Sequence, residues 1–230
     1  MNFRLILLVL LVILFTICGV YISALSFDAT SLQESYQKGD VEIIQNTTAG
    51  TVPHIVLVKN NGKKPFMVEA GQILVSNSSQ DLVVAEDKMV NQNSSSYIQA
   101  YCFQPNQTAT PGVKLTPSGK ASPEIKKLIE NSNPADPQNS TRTQLQIWII
   151  VTGGNLNYTS GEASALTQKL GVNSTDINNQ ITEARANLVQ VLNITEGEIK
   201  NLSPNSSTGI DVVSWINEFI NWFKNSFNIS

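Results

Sequence analysis

Histidine and cysteine are scarce in this 230-residue chain, which holds one His and two Cys. That excludes a structural zinc site, a His-rich metal centre and a disulfide-built scaffold. Charge is scarce too: Asp, Glu, Lys and Arg make up 14% of the residues, against about a quarter in ordinary domains. The formal net charge is −3, so the basic excess that nucleic-acid binding requires is missing. There is no Gly-rich phosphate loop, because Gly153-Gly154 lacks the flanking pattern. Asn is abundant instead, at 24 copies, so polarity here rests on amides and hydroxyls.

Residues 5–27 carry no charge, and the apolar core runs over 5–25. About 20 apolar residues span a bilayer. Arg4 precedes the run and Asp28 is the first charge after it, which orients the N-terminus inward and the rest of the chain outward. The run therefore reads as a signal anchor (1–27), with a cleaved signal peptide ending near Ala24-Leu25-Ser26 as the alternative. Either reading places residues 28–230 outside the cytoplasm, at a cell membrane. Sequons at Asn46, Asn77, Asn93, Asn106, Asn139, Asn157, Asn173, Asn193 and Asn205 then become glycosylation candidates. Cys18 lies inside the apolar run, so Cys102 has no intrachain partner in the exported part. Its thiol is open to four readings: a buried core residue, an intermolecular disulfide, a lipid site or a nucleophile.

The fold class expected is α+β. A spacer covers 28–40, with one short helix. Residues 41–104 read as a small Ig-like antiparallel β-sandwich: apolar runs at 54–58, 65–68, 72–75 and 81–85, then clean alternation over 96–103, with turn signals between them. Ile98, Ala100 and Cys102 share one face of the last strand. Residues 105–202 read as a helical subdomain that begins with a Pro/Gly/Thr loop. Ser122 with Pro123 opens one helix, and Ser140 or Thr141 opens a second that Gly153-Gly154 ends. Ser160 opens a third, closed by Gly171. Ser174 or Thr175 opens a longer fourth, and Thr195 with Glu198 forms a capping box.

A linker at 203–209 leads to an amphipathic aromatic helix within 210–230. Val212, Trp215, Ile216, Phe219, Trp222 and Phe223 make its apolar stripe. The stripe suits packing on the body of the protein, or contact with a membrane surface or partner through Trp215, Phe219, Trp222 and Phe223. Self-assembly through 211–227 follows from the second reading.

Two short motifs carry a resemblance. Ala100-Tyr101-Cys102-Phe103 precedes a Pro-rich loop, and Thr143-Gln144-Leu145-Gln146-Ile147-Trp148 opens a helix. Together they resemble the surface thioester domains, over roughly residues 50–155. The resemblance implies an internal thioester between Cys102 and Gln144, with Gln146 as an alternative acyl donor. It also implies single-use covalent adhesion to a surface protein or polysaccharide. No turnover, cofactor or metal is then needed, because fixed geometry supplies the effective concentration. The competing expectation is a non-reactive envelope component assembling through its C-terminal helix. His54 reads as filling a structural position, and Glu86-Asp87 and Asp136 as surface charge.

Overall fold

The computed structural model describes Leu11, Val12 and residues 30–203. Strand β1 (Thr30–Ser31) runs into helix α1 (Leu32–Gln37), which Ser31 caps by accepting the Glu34 amide. Seven strands follow: β2 (Val41–Gln45), β3 (His54–Asn60), β4 (Phe66–Val68), β5 (Gln72–Val75), β6 (Leu82–Val84), β7 (Lys88–Val90) and β8 (Ser94–Cys102). After a loop comes β9 (Thr116–Lys120), and then α2 (Pro123–Glu130), α3 (Pro137–Val151), α4 (Gly161–Leu170) and α5 (Ser174–Leu192). A 3₁₀ helix (Glu196–Leu202) ends the described chain, opened by the Thr195/Glu198 capping box.

Six strands make one antiparallel sheet in the order β2-β3-β8-β6-β5-β9, and β1-β4-β7 make a smaller one with β1 parallel to β4. Period-two alternation drives the larger sheet. Val41, Ile43 and Gln45 of β2 are buried, as are His54, Val56, Val58 and Asn60 of β3. The sheet curls into a half-barrel, and one piece of chain stitches its two edges. The Gly112 and Leu115 amides donate to Gln45 and Ile43 carbonyls of β2, and from Thr116 the same segment becomes β9 against β5.

This corrects the Ig-like sandwich expected from the sequence. A sandwich covers its inner face with a second sheet. Here the curl lets the strands cover one another, and helices complete the core. Residues 143–150 of α3 are buried all round, with Trp148 and Ile147, Ile149 and Ile150 at 0% exposure. At the end of β8 both faces are covered: Tyr101 is fully buried, and its hydroxyl donates to Ser132 Oγ at 3.3 Å. One apolar core runs from Leu32 through the sheet to Leu188 and Ile199.

The expected membrane span and its signal-peptide alternative fall on residues 1–27, outside the described residues apart from Leu11 and Val12. Among the described residues no helix is long and apolar enough to cross a membrane. The described residues thus lend no support to the expected N-terminal transmembrane helix or to a membrane-anchored, extracytoplasmic placement. The aromatic segment with Trp215, Phe219, Trp222 and Phe223 also lies outside the described residues, as does Asn205.

Candidate functional site

The residues with chemistry gather where β3 begins and β8 ends. His54 pairs with Ala100 across the ladder, and Cys102 lies two residues further on the same face. That register makes His54 and Cys102 diagonal neighbours, roughly 7–8 Å apart at their backbones. Glu162, in the first turn of α4, reaches the same place. Its carboxylate lies 3.1 Å from His54 Nε2 and accepts from the Ala109 amide at 3.0 Å and from the Gly50 amide. His54, Cys102 and Glu162 all have 0% exposure.

The hydrogen bonds fix the imidazole. Thr47 Oγ1 accepts from the Ile55 amide at 3.1 Å and from Gln45 Nε2 at 3.2 Å, so its own proton goes to His54 Nδ1, 2.9 Å away. Nδ1 is thus the acceptor, and Nε2 faces the Glu162 carboxylate. The Gln80 carboxamide also lies 2.8 Å from Nε2. Its nitrogen is the atom that faces the ring, and its oxygen is buried without a partner; exchanging the two amide atoms would bring the oxygen to Nε2. A buried carboxylate is costly unless paired and hydrogen-bonded. Glu162 has two amide donors, an imidazole and the positive end of its own helix.

Gln144 does different work. Its Oε1 accepts from the Cys102 amide and its Nε2 donates to the Cys102 carbonyl, both at 2.8 Å. Strand β3 starts at His54, after Pro53, so nothing in the ladder pairs with the backbone of Cys102 on that side. The Gln144 carboxamide stands in for the missing strand residue. Gln146 is turned away from the site: its Nε2 donates to Asn187 Oδ1 at 2.8 Å and to the Ala184 carbonyl, both on α5. The structure therefore brings Cys102 and Gln144 together through main-chain bonds and leaves Gln146 on another interface. The Cys102 thiol itself donates to the Gln104 carbonyl at 3.3 Å. Burial pushes the thiol well above its ordinary range, and the Glu162 charge adds to this. The Trp148 indole and the Gln104 backbone pull weakly the other way.

Among the described residues, no group of three His, Cys, Asp or Glu side chains is placed to hold a metal. Two concavities open elsewhere. One, of about 380 Å³, lies between α3, the end of α4 and α5, and the other, of about 280 Å³, lies near Lys38 and Lys63. Neither is lined by Cys102, His54 or Glu162.

Residues 12–200 match the family described as ARPP-1, the ARG and Rhodanese-Phosphatase-superfamily-associated Protein domain. The chain belongs to the ARPP-1 family. No curated protein and no solved structure matches it. The ARPP-1 match replaces the thioester-domain resemblance, whose two motifs occupy a strand end and a helix that this fold uses for packing. Nor does the ARPP-1 match indicate a glycoprotein or a cell-surface adhesion protein. The Asn residues of several sequons have roles in the backbone. Asn173 caps α5 by accepting the Thr175 and Asp176 amides, and Asn193 ends it in the left-handed region. Asn93 sits at φ 50°, and Asn157 Oδ1 accepts from the Thr159 amide. Asn139 lies in α3, and its Oδ1 accepts from the Asn133 amide. Asn46, Asn77 and Asn106 lie in loops of the ARPP-1 fold. The sequence pointed to Cys102 and Gln144, and missed Glu162, whose role depends on contacts with distant loops.

Proposed function

We propose that this ARPP-1 chain is a non-catalytic binding domain whose partner is a protein of the rhodanese-phosphatase superfamily named in its family's description. One observation carries the reading. His54, Cys102 and Glu162, the clustered groups suited to nucleophilic or acid–base chemistry, are sealed inside, while the larger concavity is lined by other residues. Pro137, Leu145 and Leu170 give that groove an apolar floor, and Leu170 is 41% exposed. Arg142 and Glu183 form an ion pair of 3.5 Å along it. An apolar centre with a charged rim is the usual layout of a protein contact.

The test is co-expression with the rhodanese-phosphatase-superfamily protein of the same source, followed by size-exclusion chromatography. Co-elution that Leu170→Asp abolishes is the expected result. Separate elution of the two native proteins overturns the reading. So does hydrolysis of a phosphate ester, or sulfur transfer from thiosulfate, by this chain alone that Cys102→Ser removes.

A further inference from the structure

We propose that the chain covers its own groove: residues 211–227 dock as an amphipathic helix between α3 and α5, laying Trp215, Phe219 and Trp222 over Pro137, Leu145 and Leu170. Reach allows it, because the described chain ends on the two helices that wall the groove. Ser203 Oγ donates to the Val151 carbonyl at the end of α3, at 3.1 Å. Glu196 of the 3₁₀ helix pairs with Arg185 of α5 at 3.6 Å, and Gln180 and Glu183 of the groove lie just before Arg185 on the same helix. A helix rises about 1.5 Å per residue, so Leu145 lies about 9 Å back along α3 from Val151, and Thr141 about 15 Å. Residues 204–210 span up to about 23 Å when extended, which is enough to bring residue 211 to the groove.

The two faces also match. Val212, Trp215, Ile216, Phe219, Trp222 and Phe223 recur at helical spacing. At about 3.6 residues per turn, Asp211 and Glu218 fall along one side of this stripe and Lys224 along the other. The groove carries the opposite signs on its walls, with Arg142 on α3 and Glu183 on α5, either side of its apolar floor. These two side chains pair at 3.5 Å yet stay 38% and 70% exposed, so both remain open to a further charge. A helix laid with its acidic side on α3 and Lys224 towards α5 meets complementary charge on both walls. The short tether adds an effective concentration on the order of 1 mM, which favours this occupant over one that must diffuse in. For the partner proposed above, the docked segment is a competitor at the same groove. That consequence rests on the binding reading; the docking itself does not.

Tryptophan fluorescence of the full chain tests the docking with no partner present, so its failure is separate from a failure of partner binding. Of the three Trp residues, Trp148 is buried in the core, and Trp215 and Trp222 lie in the segment. Acrylamide is expected to quench the native chain weakly, to the same degree at every protein concentration. Leu170→Asp in the groove raises the quenching constant at least twofold, since two of the three Trp residues become accessible. Phe219→Asp does the same from outside the folded core. Met89→Asp, on β7 away from the groove, replaces a residue that is likewise 42% exposed and leaves the constant unchanged. Strong quenching of the native chain overturns the proposal. So does weak quenching that Leu170→Asp or Phe219→Asp fails to raise above the Met89→Asp value, which would put Trp215 and Trp222 on a membrane surface or another face of the protein. Shielding that is lost on dilution also overturns it, and would assign the groove to a second copy of the chain.

Discussion

At the scale of single residues, the side chains with the most chemistry in them hold the backbone together. Gln144 supplies both hydrogen bonds for a strand residue that has run out of ladder. Gln144→Leu leaves a buried N–H and a buried C=O without partners, each worth about 1–3 kcal/mol. Urea denaturation is expected to show a loss of about 2–5 kcal/mol, and a loss below about 1 kcal/mol would mean that the clasp holds nothing. The Cys102 thiol makes a second prediction. Its folded-state pKa is raised, first by burial and then by Glu162. Above the unfolded thiol value of about 8.5, the unfolded chain loses a proton that the folded chain keeps. This contribution to stability is therefore complete below about pH 8.5 and is lost as pH rises further, by about 1.4 kcal/mol per unit. Denaturation between pH 7 and 10 is expected to show this decline in the native chain and a shallower one in Cys102→Ala. Equal slopes would contradict it.

Among the elements, caps and turns were the most legible part of the sequence. Ser122 before Pro123, Gly171 after α4 and the Thr195/Glu198 box all sit where local chemistry placed them. Helix α3 begins at Pro137, several residues before the Ser140 or Thr141 start read from the sequence. Asp136 is its N-cap, accepting the Gln138 and Asn139 amides, and is no mere surface charge. The Asp-Pro signal was present, but a run rich in Asn and Pro obscured it. Strand β9 was hidden for a related reason: its Thr-Pro-Ser-Gly-Lys sequence has poor strand propensity, and pairing with β5 imposes the conformation. The Asn residues read as glycan sites make a clear test at this scale. Asn193 ends α5 at φ 58°. Asn193→Gly is expected to change stability by less than about 0.5 kcal/mol, and Asn193→Ala to cost about 1 kcal/mol, measured by chemical denaturation. An alanine variant as stable as wild type would remove the backbone explanation for this Asn.

For the whole molecule, long-range closure decides what local pattern cannot. Alternation along β2, β3 and β8 was legible, and so was the shared face of Ile98, Ala100 and Cys102. That residues 112–120 would stitch both edges of the sheet was not, since no local signal marks a pairing between segments so far apart in the chain. The same closure explains the candidate site. Cys102 and Gln144 drew notice as residue types, and the fold does bring them together. Their meaning came from Pro53, which ends the ladder, and from Glu162, which ties two loops and the start of β3 onto α4. Cys102 and Gln144 serve the structure as free side chains, and the mass of the native chain, with and without methylamine, tests this. Gln144 must keep its amide nitrogen to donate to the Cys102 carbonyl. The predicted result is that the Cys102 and Gln144 peptides have the masses their sequences give, with no amine added. A native mass short by one ammonia, with methylamine incorporated at Gln144, would contradict the account.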